Sequence, residues 1–275
     1  MSTMKKTLLY VFSLIAAVIF LYPLLYSFFS SLKDNVEIYN KSVFSLPEIW
    51  RWENYKMALV DANISRAILN SFIYAIPGTL LCLVLALMIA FVLTRMPLRI
   101  NPWLYNYFAI GLMIPVFSLM IPISKVIGAM HLFNSYPLMI VLYGVFEMPL
   151  AVFLITGYMR GISKELDESA IMDGCGPVRM LFRIIAPLAM PAVSTAGILS
   201  FFDIYNDLVW NVILISDQNM NNISMALMSF VGQQGSSQLG PTFAGIMLTI
   251  LPTIVVYLLF QEKVEKGLSA GAVKE

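Results

Sequence analysis

The chain has 275 residues, a mean hydropathy of +0.81 and only 12% charged side chains, too little polar surface to coat one or two soluble domains, so its expected surroundings are a lipid bilayer. A net charge of +1 supplies no basic stripe to neutralise phosphates, which excludes a nucleic-acid partner. Two cysteines, Cys82 and Cys175, and one histidine, His131, make neither a disulfide framework nor a zinc set, and His131 reads as a surface loop residue.

Crossing ~30 Å of hydrocarbon as helix takes roughly 20 apolar residues. Six windows meet that need, at 7–32, 67–94, 102–124, 132–159, 184–216 and 241–261. The fold class is therefore all-α, a polytopic membrane protein with six transmembrane helices. The first window follows Lys5 and Lys6 as a signal peptide's would, but its uncharged run is too long and no A-x-A site follows, so it reads as a retained anchor. The segment 33–66 carries Trp50, Trp52 and Tyr55, aromatics suited to headgroup depth. With the N-terminus inside, Lys5, Lys6, Arg95, Arg99, Arg160, Lys164, Arg179, Arg183, Lys263, Lys266 and Lys274 face inward. Lys33, Lys41, Arg51, Lys56, Arg66 and Lys125 face outward, most of them in one long, acid-balanced segment. That bias places both termini in the cytoplasm. Residues 217–240, uncharged after Asp217, read as a second outer loop. Pro23, Pro77, Pro115, Pro122 and Pro252 read as kinks within spans. The whole is treated as one domain: an anchor and outer segment to residue 66, a core over 67–262 and a tail over 263–275.

Between the fourth and fifth windows lies ELDESAIMDGCGPVRMLFRIIAPLAMP, residues 165–191. Ser163 can cap a helix whose first turn holds Glu165 and Asp167, where the helix dipole favours carboxylates, and which should run to about Met172. Gly174, Gly176 and Pro177 then force a turn. A second helix should begin near Val178, with Arg179 and Arg183 on one face and Leu181, Phe182, Ile184 and Ile185 largely on the others. Pro187 and Pro191 disturb it as it enters the fifth window. On composition alone, this elbow is equally a surface-lying amphipathic segment or a docking element.

Its spacing resembles a known pattern. Glu168-Ser169-Ala170, three residues, Gly174, nine residues, Ile184, one residue and Ala186-Pro187 is similar to the EAA loop of permeases in binding-protein-dependent ABC importers, with Ser169 and Ala186 as the departures. Phe44–Tyr55, Met113-Ile114-Pro115, Ile121-Pro122, Tyr205-Asn206-Asp207 and Gly267–Lys274 extend the likeness along most of the chain. The sequence thus resembles the carbohydrate-type ABC importer permeases, in particular the smaller permease of the maltose system. The resemblance implies that the elbow over 163–187 is a coupling helix seated in a cytoplasmic ATPase, with Glu168, Ser169, Ala170, Asp173, Gly174, Ile184 and Pro187 carrying the coupling. It implies a disaccharide or oligosaccharide cargo, moved by alternating access across a prokaryotic cell membrane. The implied partners are a second permease subunit, two copies of the ABC ATPase and an extracytoplasmic sugar-binding protein. The chain has no G-x-x-x-x-G-K-[ST], nor any Gly-Lys dipeptide, so no cofactor and no enzyme activity are expected here, and ATP and Mg belong to the partner ATPase.

Glu147, Asp203 and Asp207 fall inside the windows, where an acid costs roughly 3 kcal/mol at the bilayer centre. Asp203, Asn206, Asp207 and Trp210 recur at i, i+3, i+4 and i+7, the spacing of one helical face, with hydrogen-bonding groups for sugar hydroxyls and an indole for stacking. The same residues equally suit a helix interface or a bond to the partner permease, and Glu147, near Pro149, suits backbone groups freed by the proline. Intramembrane acids also fit an ion- or proton-coupled secondary transporter, which has no need of the elbow. A polytopic enzyme is disfavoured by the lack of a nucleophile elbow or an H-E-x-x-H pair.

Overall fold

The computed structural model describes residues 3–60, 63–234 and 238–272, with side chains over 5–60, 63–232 and 238–261. Among the described residues all regular structure is helical: α1 (Thr3–Ser30), α2 (Asn35–Asn40), α3 (Glu53–Val60), α4 (Ile64–Arg95), α5 (Asn101–Gly111), α6 (Val116–Ala129), α7 (Tyr136–Met159), α8 (Glu165–Met172), α9 (Pro177–Met180), α10 (Ala186–Tyr205), α11 (Val209–Leu214), α12 (Ile223–Gln234) and α13 (Leu239–Ala272). Five uninterrupted helical stretches are long and apolar enough to cross a membrane, and α5 with α6 supplies a sixth as a pair bent by 98°.

The expected third span is therefore broken in its middle. Pro115 offers no N–H, its ring disfavours a helical conformation at Ile114, and it stands extended (φ −65°, ψ 126°) as the cap of α6. The expected outer loop over 217–240 is largely helix instead. Ile223, Ala226, Leu227 and Phe230 repeat at helical spacing, and three of the four are buried, which α12 accommodates and a loop would not. Of the tail, only the helical backbone to Ala272 is described; the side chains of Lys263, Lys266 and the Gly267–Lys274 match, and Lys274 itself, lie outside the described residues.

The chain forms two compact units, one of residues 1–66 with 225–253 and one of 67–224 with 254–275. In the first, the segment after α1 is knitted by side chains. Asp34 caps α2 by accepting from the Glu37 amide at 2.8 Å and pairs with Arg51 at 2.9 Å, and these partners, the amide foremost, hold its carboxyl below the usual range. Buried Asn54 donates to the carbonyls of Ser31 and Lys33 at 2.9 and 3.0 Å. Gly240 fits against this corner because a Cβ there would stand 2.4 Å from the Lys33 carbonyl oxygen.

The second unit has two apolar cores. One joins Cys82, Ala86, Ala90 and Phe91 of α4 to Ala151, Val152 and Ile155 of α7 and Ala189 and Ala192 of α10. The other gathers Tyr74, Tyr143, Ile204, Tyr205 and Trp210. Small residues let the helices approach, as expected where lipid tails remove the hydrophobic drive between helices. A Cβ on Gly144 would stand 2.9 Å from Leu81 and 3.2 Å from the Gly78 carbonyl oxygen.

Gly144→Val should therefore strain the α4–α7 contact by about 1–3 kcal/mol and lower the thermal midpoint of the detergent-solubilised protein. Gly157→Ala, where nothing lies within 4 Å of the added carbon, should leave that midpoint unchanged or slightly raised.

Candidate functional site

The elbow's first helix, α8, ends at Met172 as its sequence requires. The Glu165 amide donates to Ser163 Oγ at 3.2 Å ahead of it. At its far end, Gly174 takes φ +70°, its amide donates to the Ile171 carbonyl, and the Cys175 amide donates to the Ala170 carbonyl, both at 2.9 Å. This pair of backward bonds is a Schellman closure, which places glycine at the left-handed position and brings the next residue against the helix body. Cys175 accordingly packs on the core that contains Ala170, which is 5% exposed.

One face of α8 is thereby fixed inward and the other outward. Glu168, Ser169, Asp173 and Gly174 are exposed, as are Leu166, Ile171 and Met172, the last at 86%. After the turn, α9 buries Met180 and presents Val178 and Arg179. The next five residues, Leu181–Ile185, widen into a π turn in which the Ala186 amide reaches back to the Leu181 carbonyl. Pro187 accounts for it, having no N–H to donate and a ring that crowds the carbonyl four residues earlier. Leu181 and Ile185 are buried, Arg183 and Phe182 are exposed, and Ile184 packs against the core beside Pro187 at the start of α10. The seven residues of the EAA-like pattern thus occupy one elbow.

Sequence reasoning missed the residue that ties this elbow down. Asp167, expected as a dipole-favoured acid in the first turn, pairs with Arg95 at the end of α4, Nε to Oδ2 3.0 Å, with the two side chains 3% and 14% exposed. Arg95 Nη2 also donates to the Ile162 carbonyl at 3.0 Å.

The intramembrane acids do not form the single stripe expected of them. α10 stops at Tyr205, and α11 begins at Val209. Between them Asp207 acts as a cap: its carboxylate accepts from the amides of Val209, Trp210 and Asn211 at 3.2, 3.2 and 3.3 Å and from the Tyr143 hydroxyl at 2.8 Å. Asn222 Nδ2 donates to the Asp207 carbonyl, and Ser71 Oγ donates to that of Tyr205 at 3.2 Å. Trp210 is 3% exposed and packs on Phe146 with ring centroids 4.7 Å apart, so its indole is held in the core and not offered for stacking. Asp203 and Asn206 are exposed, the latter with its amide returned to the Phe202 carbonyl. Glu147, half-buried, faces the Ser200 hydroxyl and lies within electrostatic reach of Asp203. His131 is exposed in the turn after α6, and no cluster of metal-ligating side chains occurs among the described residues.

Residues 82–269 match the family described as binding-protein-dependent transport system inner membrane component. The chain is 31% identical to the diacetylchitobiose uptake system permease protein of Streptomyces coelicolor, over 94% of this chain and 85% of that protein. It is 30% identical to a probable starch degradation products transport system permease protein of Thermoanaerobacterium thermosulfurigenes, over 98% of each. It is also 30% identical to the trehalose transport system permease protein of Mycobacterium tuberculosis, over 92% of each. In fold it superposes on a chain of a bacterial ABC transporter involved in importing the acidic polysaccharide alginate, with a TM-score of 0.80 over 95% of this chain, 98% of that chain and 23% identity.

Replacing Trp210 by Ala should remove about 3–5 kcal/mol of core packing, and Asp207→Ala roughly 1 kcal/mol of capping, both read as a lower thermal midpoint of the purified protein. Asp203→Asn, at an exposed position, should leave that midpoint within error. An unchanged midpoint in Trp210→Ala would contradict the core placement of the indole.

Proposed function

The chain belongs to the family of binding-protein-dependent transport system inner membrane components, and from that premise we propose that it is the permease subunit of an ATP-driven sugar importer whose elbow seats in a separate ATPase. The observation that carries the reading is the elbow. Its EAA-like residues are locked on one side by Ala170 and the Gly174 turn, and on the other side they expose carboxylates among Leu166, Ile171, Met172, Val178 and Phe182. Such a surface is rigid enough to transmit displacement and apolar enough at its centre to dock, with Glu168 and Asp173 placed to meet basic groups.

The assembly this implies has a second permease subunit, two copies of the ATPase that would bind ATP and Mg, and an extracytoplasmic sugar-binding protein. Both termini and the elbow would face the cytoplasm of a prokaryotic cell, in accord with the arginine and lysine placement. The loaded binding protein would dock outside, ATP would close the ATPase pair, and the elbows would move with it to open the path outward. The cargo class follows from relatives named for diacetylchitobiose, trehalose and starch degradation products, and is a disaccharide or short oligosaccharide. Asp203 and Asn206, exposed at the end of α10, and Glu147 are the side chains best placed to line that path. Asp207 and Trp210 would support it from behind. A secondary transporter built on Glu147, Asp203 and Asp207 is not favoured, because Asp207 is engaged as a cap and such a machine leaves the elbow without a task.

In proteoliposomes holding the full complex, uptake from a panel of labelled trehalose, diacetylchitobiose and maltooligosaccharides should require both ATP inside and the binding protein outside. Uptake driven by a proton gradient alone would overturn the proposal. Gly174→Val forces a β-branched side chain into φ +70°, at about 1–2 kcal/mol or more, and should uncouple ATP hydrolysis from the binding protein while the chain still reaches the membrane. Normal substrate-stimulated hydrolysis in that variant would refute the coupling role.

A further inference from the structure

The elbow is covalently continuous with α7 on one side and α10 on the other, yet the partner of its buried carboxylate, Asp167, lies in neither. That partner is Arg95, the last residue of α4. That guanidinium makes two connections at once. Its Nε lies 3.0 Å from Asp167 Oδ2 within α8, and its Nη2 donates to the carbonyl of Ile162, in the short connector between Met159 and Glu165 that also holds Gly161. Apolar contact runs parallel to it, since Ala170 of α8 shares a core with Leu87, Ala90 and Phe91 of α4. A buried ion pair is a poor way to add stability, because desolvation cancels most of the attraction, and an apolar pair of similar size often does as well. What the contacts add is direction: one guanidinium set 3.0 Å from the Asp167 carboxylate and hydrogen-bonded to the Ile162 carbonyl ties the end of α4 to two points of the elbow.

We propose that the Arg95–Asp167 pair locks α8 to the end of α4, so that the elbow and this helix move as one body and α4 is driven by the ATPase directly, not only through its packing against α7 and α10. Arg95 and Asp167 are positioning residues in this account, which rests on the coupling role proposed above. Without it, thrust arriving on the exposed face of α8 would reach α4 only by way of α7 and α10. The Arg95 guanidinium holds the connector ahead of α8 by the Ile162 carbonyl and meets α8 itself at Asp167.

The test uses the full complex in liposomes, with Cys82→Ala and Cys175→Ala as background and spin labels at Leu98→Cys, beyond the end of α4, and Met172→Cys, both at exposed positions. The inter-label distance should give one narrow peak that stays in place when MgATP and vanadate are added. Arg95→Lys, which keeps the charge but offers a single ammonium for the two partners, should give a broader peak than the wild type. In Arg95→Met/Asp167→Leu, which leaves no buried charge unpaired, the peak should broaden or shift on nucleotide trapping. A wild-type peak that moves with nucleotide, or a double variant as narrow and fixed as the wild type, overturns the lock. A complex that traps no nucleotide at all would instead overturn the functional reading beneath it.

Discussion

The last carbonyls of a helix have no partner further along it, and α8 satisfies two of its own through a backbone geometry that only glycine adopts at little cost. The Gly174 and Cys175 amides turn back onto the carbonyls of Ile171 and Ala170, closing the helix within one residue and aiming the chain into α9. Because Cys175 then packs on the core around Ala170, the closure also sets which face of α8 is buried. The exposure of Glu168, Asp173 and Met172 follows from that choice, as does the approach of Asp167 to Arg95. A substituted Gly174 would leave the outward residues in place along the sequence but not in space.

The same demand for satisfied backbone groups explains where the spans are interrupted. At Pro115 the missing N–H and the restricted preceding residue split one apolar window into α5 and α6. At Pro187 the chain widens to a π turn and continues as α10. At Asp207 a carboxylate takes three amides, while Asn222 and Ser71 serve the carbonyls of Asp207 and Tyr205. An acid within an apolar region is tolerated there because the break gives it donors and it gives the break an acceptor. Beside it, Asn70 bridges the carbonyls of Asn219 and Asn221 at 2.8 Å each and accepts from Tyr136, so the segment entering α12 is held by side chains of α4 and α7.

Features that depend on neighbours in sequence were legible before any coordinates. The bounds of α8, the glycine turn, the proline disturbance ahead of α10 and the apolar windows all follow from local propensity and spacing. Errors arose where a local pattern had two readings. Asp203, Asn206, Asp207 and Trp210 have the spacing of a helical stripe, but an aspartate two and three residues ahead of amides at a helix start is also a cap, and the cap prevailed because Trp210 had a core to enter. Residues 217–240 looked like loop from their asparagines, glutamines and glycines, whereas the apolar spacing within Ile223–Phe230 sufficed for a helix. The Arg95–Asp167 pair was not legible at all: each residue had an ordinary local explanation, a positive flank and an N-terminal acid, and only the tertiary fold brings them together.

Taken together, the elbow is a rigid, outward-facing part whose exposed centre is apolar and whose rim is acidic. The most direct test of its role is crosslinking from Met172→Cys, at a position 86% exposed at the end of α8, in membranes containing the assembled complex. The account predicts a crosslink to a nucleotide-binding subunit on the cytoplasmic side, protected from thiol reagents when that subunit is bound. Modification of the same cysteine by a membrane-impermeant reagent applied to the outside of intact cells would contradict it.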